Sequence, residues 1–389
     1  MRKLFMLGLT VAMLSAAWLV KPVFAQAAPP ESGETFSGQL LCQPDAYLVE
    51  PADCLPLGPS LFLTEMAKKG ITFPLQPLPA VPIDPELAKL PLNFAKINVD
   101  QYEDVPLYSS LDDAVAGTNA VGKINAGPLR FISYIQRADI NGGHFLMLKS
   151  GQWVRASPAA LSYFGGLVFS RTPRNNFGWI VDDAKPRSAP GYAYPETGKT
   201  YLREAVVQVF DRVEMDNTTW YMIGLSEWVE RRYIRIVDVN TQAPSGVDNN
   251  RWIDVNLYEQ TLAVYEDGVL KYATLIATGM EPFYTQPGVF KIYEKKDTET
   301  MTGAFENDKS DYYYLEDVPW TMYFDEARAL HGAYWRTWFG YPQSHGCVNL
   351  SLGDSRWLYD WAKVGDWVYV HDPSGETPTD PAYYGQGGA

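Results

Sequence analysis

Three residues near the C-terminal end of this 389-residue chain have types and spacing suited to chemistry: His331, His345 and Cys347, within ARALHGAYWRTWFGYPQSHGCVN (residues 327–349). A thiol beside an imidazole is sufficient for covalent catalysis. The imidazole takes the thiol proton, the thiolate attacks an electrophilic carbon, and the imidazolium returns the proton to the leaving group. Sequence proximity does not choose the base. His345 is two residues from Cys347, and on an extended chain alternate residues share a face, so either histidine can approach the sulfur. A zinc site is the rival use of the same trio, since catalytic zinc takes three protein ligands and a water. Neither an H-E-x-x-H run nor a paired C-x-x-C accompanies them, so the expectation is no metal and no organic cofactor.

Cysteine usage sharpens the first reading. Cys42 and Cys54 lie 12 residues apart across a loop, and an exported chain permits a disulfide between them. Cys347 is then the odd thiol, for which catalysis gives a reason and a buried inert thiol is the plain alternative. Export is expected from residues 1–25. Arg2 and Lys3 precede an apolar run over 4–20, followed by Pro22 and Val23-Phe24-Ala25, the layout of a secretory signal cut after Ala25. The alternative is a retained anchor, although a run of this length is at the lower limit for a bilayer span. Removal of residues 1–25, which carry Arg2, Lys3, Lys21 and no acid, takes the formal net charge from −14 to −17. Such acidity argues against nucleic acid or anionic membrane as partner.

The elements that must position the trio are mainly β. Residues 26–94 read as a linker and structural region holding the Cys42/Cys54 pair, with a helix over 59–69 and a proline-punctuated run over 74–87. An internal repeat follows at a constant offset of 75 residues. Phe131, Tyr134, Arg137, Phe145, Met147 and Trp153 lie over Val206, Val209, Arg212, Trp220, Met222 and Trp228. Each copy alternates short β-branched or aromatic runs with turns such as Asn141-Gly142-Gly143 and Asp216-Asn217, the pattern of small antiparallel barrels whose tryptophans are core. The pair resembles bacterial SH3-like modules of exported cell-wall proteins, notably in WYMIGLSEWVERRYIRI (residues 220–236). The copies are placed at 95–170 and 171–240.

After a polar loop the strands become longer. Trp252–Leu257 alternates as a half-buried strand does, and Asp267-Gly268 between two apolar runs is a hairpin signal. Ser351-Leu-Gly-Asp354 has the form of a capping box, with Asp in place of Glu, opening a helix through about Lys363. Residues 373–389, rich in Gly, Pro and Thr, read as a disordered tail.

Ser344-His345-Gly346-Cys347-Val348-Asn349, with His331 sixteen residues before the cysteine, resembles the signature of the L,D-transpeptidase (YkuD-type) catalytic domain. The resemblance extends over residues 250–372 and takes in WIDVNLYEQTLAVYEDG, Met301-Thr302-Gly303, VPWTMYF, HGAYW and SLGDSRWLYDW. It implies a β-sandwich with a short helix after the catalytic turn. It also implies Cys347 as nucleophile and His331, not His345, as base, with the Gly332 carbonyl holding one ring nitrogen so that the other faces sulfur. Gly346 would let the chain turn so that the N–H groups of Gly346 and Cys347 face a developing oxyanion. Ser344, His345 and Asn349 would order that turn, while Met301, Tyr323 and Trp335 would line the donor site. One departure, Thr285-Gln-Pro-Gly288 in place of the usual Thr-Pro-Thr-Gly, is expected not to touch the chemistry.

The function so implied is that of an exported, cell-wall-associated enzyme joining peptidoglycan stem peptides by 3→3 cross-links through a cysteine thioester, with release of D-alanine. An L,D-carboxypeptidase using water as acceptor, and a non-catalytic wall-binding protein, are the alternatives. A papain-like or NlpC-type peptidase is disfavoured, since those place cysteine before histidine along the chain.

Overall fold

Short strands joined by tight turns dominate the computed structural model, which describes residues 66–72, 75–304, 308–380 and 383–384. The segment read as an export signal and the Cys42/Cys54 pair lie outside the described residues. No helix among the described residues is long and apolar enough to cross a membrane.

The site is carried by nine strands and one helix: β1 (Arg251–Asn256), β2 (Thr261–Glu266), β3 (Val269–Leu275), β4 (Gly288–Lys291), β5 (Glu294–Gly303), β6 (Tyr313–Asp325), β7 (Arg328–Gly332), β8 (Val348–Leu350), α1 (Leu352–Trp361) and β9 (Trp367–His371). The β2–β3 turn forms at Asp267-Gly268 because both residues sit at positive φ, 52° and 73°, which matches the twist of a two-residue hairpin. One seven-stranded sheet runs Ala80–Pro82, Leu167–Phe169, β3, β2, β1, β9, β4. The other runs β8, β7, β6, Leu129–Tyr134, Asn93–Lys96, Ser157–Pro158, with β5 paired to β6. Their facing sides share one core, in which Ile253, Val255, Leu262 and Val368 of the first sheet meet Met322, Leu330 and Val348 of the second. Two sheets joined through such a core form a sandwich.

Strand β1 is buried on both faces, not half-buried. Its outer residue Trp252 stacks on Tyr265 at 4.8 Å, in a cluster with Phe177 and Trp179 of the second repeat. The repeat thus covers the outer side of this sheet, so a strand that alternates in sequence is buried on both faces.

The repeat itself is visible in the strands. Leu129–Tyr134, Gln136–Ile140, Gly143–Met147 and Trp153–Arg155 recur as Val206–Val209, Asp211–Met215, Thr218–Gly224 and Glu227–Glu230. Equivalent positions fill equivalent cores: Ile132, Leu146 and Val154 in one, Val207, Tyr221 and Val229 in the other. Trp153, Trp220 and Trp228 are buried. The expectation of closed SH3-like barrels needs correction: every sheet among the described residues is an open path. The physical reason lies in the edge of Leu129–Tyr134. Its backbone pairs in parallel with the start of β6, Leu129 opposite Tyr313 and Phe131 opposite Leu315, so an edge that would otherwise need covering extends the sheet that carries β6–β8. Leu167–Phe169 likewise pairs with β3. Hydrogen bonding therefore crosses the divisions expected at residues 170 and 250.

Helix α1 begins as the capping pattern implies, with Ser351 Oγ accepting the Asp354 N–H at 3.2 Å, and ends at Trp361, not Lys363. The Asp354 carboxylate does not complete a capping box. Fully buried, it accepts from Tyr272 Oη at 2.5 Å, Thr274 Oγ1 at 2.6 Å and the Gly166 N–H at 2.7 Å. It thereby ties α1 to β3 and to the segment before Leu167–Phe169. Asp354→Ala strands three buried donors, at about 1–3 kcal/mol each. The variant is expected to lose at least about 3 kcal/mol of unfolding free energy in denaturant titration. An unchanged midpoint would show that the tie is dispensable.

Part of the tail read as disordered is packed. Tyr384 is buried and its carbonyl accepts from Arg328.

Candidate active site

Parallel pairing of β7 with β8 brings the chemistry together. The register sets Leu330 opposite Val348 and His331 opposite Asn349. Because side chains alternate along a strand, Leu330, Val348 and Leu350 turn into the core while Ala329, His331, Cys347 and Asn349 share the other face. Cys347 and His331, sixteen residues apart in the chain, thus line one cleft. His345 also lines it, two residues from the sulfur.

The turn before β8 is held at several points. Gly346 sits at φ +115°, a conformation that side chains rarely adopt. The Ser344 hydroxyl accepts the Gly346 N–H at 3.1 Å and donates to the Cys347 carbonyl at 2.5 Å. This supports Ser344 as an ordering residue and corrects one expectation. The Gly346 N–H is spent on Ser344 in this conformation, so it does not face the cleft as an oxyanion donor. A second correction concerns Thr285. Its hydroxyl donates to the Gly346 carbonyl at 2.8 Å and accepts the Gly279 N–H at 2.9 Å. The segment expected to stand apart from the chemistry therefore fixes the turn.

His331 is buried between two partners. Nδ1 lies 3.3 Å from the Gly332 carbonyl, but the nitrogen expected to face sulfur, Nε2, lies 3.2 Å from Asn349 Nδ2, and Cys347 Sγ lies 3.9 Å from the Ala327 carbonyl. A carbonyl only accepts, so Nδ1 carries the proton and Nε2 the lone pair. The orientation of Asn349 is set by Arg336, whose Nε donates to Asn349 Oδ1 at 3.3 Å. Arg336 is anchored in turn by Gln343, through Oε1 at 3.3 Å and through the backbone carbonyl. Sequence reasoning missed Arg336. Its signal was weak: a cation in an otherwise aromatic run, five residues after His331.

Burial sets the electrostatics. It pushes the His331 imidazole down to about 4, with the Arg336 charge acting in the same direction and the Gly332 carbonyl opposing. It pushes the Cys347 thiol up to about 11, against a backbone hydrogen bond from Ala329 and the charge of Arg328. Near neutral pH the pair is therefore thiol and neutral imidazole, not thiolate and imidazolium. Arg336 is brought down to about 10 by burial. His345 is also lowered by burial, and its ring lies 4.8 Å from Phe283 and 5.8 Å from Tyr313.

Of the residues expected to line a donor site, Met301 and Trp335 do line the cleft. Trp335 stands 5.7 Å from the His331 ring. Tyr323 does not; it packs behind the sulfur with Ala329. Tyr313 also lines the cleft, as does Leu129 from the first repeat. No pattern in the sequence assigned Leu129 to the site, because the pairing that brings it there joins segments almost 200 residues apart. His144 and His371 bond to Asp139 and Asp254 elsewhere. Among the described residues no cluster of three or more His, Cys, Asp or Glu is placed to hold a metal.

The family model of YkuD, the L,D-transpeptidase catalytic domain, matches residues 250–370. YciB of Bacillus subtilis (strain 168), a candidate L,D-transpeptidase, is 24% identical over 135 residues, covering 28% of this chain and 59% of that protein. The crystal structure of an L,D-transpeptidase (Yku) from Stackebrandtia nassauensis is 31% identical, covering 36% of this chain and 60% of that one, with a TM-score of 0.27. The catalytic domain of the E. faecium L,D-transpeptidase is 27% identical over 32% of this chain and all of its own length, with a TM-score of 0.29. The chain thus spans about 60% of the length of the first two relatives. The match to the YkuD L,D-transpeptidase catalytic domain thus falls on residues 250–370, the segment that carries His331 and Cys347.

Proposed function

We propose that the protein is an exported peptidoglycan L,D-transpeptidase. The observation that carries this reading is the shared face of β7 and β8, which sets His331 and Cys347 on one cleft inside the segment matched by the family model. Cys347 attacks the carbonyl carbon of the third residue of a tetrapeptide stem while His331 Nε2, exchanging its Asn349 contact for the thiol, takes the thiol proton. A carbon–sulfur bond forms, the carbon–nitrogen bond to the terminal D-alanine breaks, and the imidazolium gives its proton to the departing amine. A side-chain amine of a second stem then attacks the thioester, passes a proton to His331, and forms a 3→3 amide. The proton returns to the thiolate as it leaves. Nothing in this sequence requires a cofactor.

The cleft suits an acyl group flanked by peptide, since Met301, Tyr313 and Trp335 give it apolar walls and such walls exclude water from a thioester. His331, lowered by burial, is a weak base. Its role rests on proton transfer within the attack, not on a standing thiolate.

Incubation with defined tetrapeptide stems and mass analysis of the products tests this. Dimers joined 3→3, with one D-alanine released per link, are expected. Tripeptides without dimers would replace transpeptidation with carboxypeptidase action. No product, and no acyl adduct, would favour a wall-binding role.

A further inference from the structure

A guanidinium lies directly beneath the turn that presents Cys347. Arg328, in β7, is only 3% exposed. One of its terminal nitrogens donates to Asp325 Oδ2 at 2.8 Å and the other to the backbone carbonyl of Tyr384 at 2.6 Å. The Tyr384 ring lies 5.3 Å from the guanidinium carbon, and its hydroxyl donates to the Pro378 carbonyl. Tyr384 therefore packs against Arg328. Asp325 and Tyr384 hold the far side of the fork. The near side, Nε, is buried without an acceptor among the described residues. This edge faces the turn: a methyl group placed on Gly346 would lie 3.2 Å from Arg328 Nε.

An N–H left without a partner is costly in a buried place, and a positive edge aimed at one turn lowers the energy of negative charge there. The carboxylate of Asp325 neutralises the guanidinium from the opposite side, so the pair acts on the turn as a dipole with its positive end toward Gly346 and Cys347. The other titratable groups about the sulfur are Tyr313 and Tyr323 from β6, His331 from β7, and His345 and Arg336 from the loop. The two tyrosines are held neutral by burial, and the histidines are lowered. Arg336 is committed to Asn349 and Gln343. Arg328 is the cation that acts on the Cys347 thiol.

We propose that Arg328 is a positioning residue for Cys347, presenting its Nε edge to the Gly346–Cys347 turn and favouring negative charge on the sulfur, and that Tyr384 locks it in place. The proposal rests on Cys347 being the attacking group, but its test reads the sulfur alone and needs no peptidoglycan. The full chain is alkylated with iodoacetamide over a pH series, and modification at Cys347 is followed by peptide mass analysis. Arg328→Gln is expected to raise the midpoint of the rate profile by about one pH unit, which slows alkylation about tenfold below the midpoint. Arg328→Lys recovers more than half of the shift. A chain stopped after Asp380 moves the midpoint in the same direction by a smaller amount. Melting curves identify the variants that fold. A folded Arg328→Gln with the parent midpoint overturns the role of the charge, and a folded truncated chain with the parent midpoint overturns the role of Tyr384. If Arg328→Gln does not fold, Arg328→Met and the truncated chain decide: raised midpoints support the proposal, and parent midpoints in both overturn it. Loss of cross-linking with an unshifted alkylation profile would count against this proposal and leave the reading of the active site intact.

Discussion

Cys347→Ser is expected to abolish acyl-enzyme formation while leaving the fold unchanged. Serine nearly matches cysteine in size, and the small cluster with Tyr323 and Ala329 tolerates the exchange at a cost of about 1–2 kcal/mol. The chemistry does not tolerate it. A hydroxyl needs a far stronger base than a thiol, and burial has brought His331 down to about 4. A thiol still reacts in such a site because sulfur is intrinsically nucleophilic even when only a small fraction is ionised. Formation of 3→3 dimers should fall on the order of 10³-fold or more, as it does when a covalent nucleophile is removed elsewhere. A carbapenem gives a direct readout, because its strained β-lactam carbonyl acylates a reactive thiol and leaves a covalent adduct. Intact-mass measurement should show one adduct on the parent chain and none on Cys347→Ser or Cys347→Ala. An adduct that survives Cys347→Ala, or a parent chain that takes none, would remove Cys347 from the role.

Local signals were legible where one residue's conformation determines the outcome. Asp267-Gly268 made its hairpin, Ser351 capped its helix, and Gly346 took a backbone angle that few other residues adopt. The repeat was legible because identical spacing puts equivalent side chains into equivalent cores. What stayed hidden was set by pairing between distant segments. Nothing local in Leu129–Tyr134 distinguishes the edge of a separate module from a strand that extends the sheet carrying β6–β8, since both need the same alternation. Asp354 fits a capping pattern from sequence, yet its carboxylate is claimed by Tyr272, Thr274 and Gly166, which lie far away in the chain. Thr285 and Arg328 escaped for the same reason: each acts on the Cys347 turn from a different strand or loop. The face shared by Cys347 and His331 is the intermediate case. Alternation relates His345 to Cys347 on one segment, but only the β7–β8 register relates His331 to it.

That register gives the second large effect. His331→Gln is expected to lower acylation by about 10²–10⁴-fold, the usual contribution of a positioned general base, with little loss of stability. The glutamine amide can still donate toward the Gly332 carbonyl, but it has no lone pair basic enough to take the thiol proton. The pH profile adds a signature that a structural role would not produce. In the parent chain His331 gives up its proton near 4 and Cys347 holds its own until near 11. Acylation should therefore rise through about pH 4 and stay level across neutral pH. It should rise again only as the thiolate appears. His331→Gln should lose the acid limb and the level region, leaving a rate that climbs with thiolate alone. At high pH the variant and the parent should converge, since a thiolate already formed needs no base. His345→Gln is the control. Its ring packs between Phe283 and Tyr313, so its loss should loosen the cleft wall and cost less than about tenfold, with the acid limb kept. Should His345→Gln erase the limb and His331→Gln preserve it, the roles of the two histidines would be exchanged.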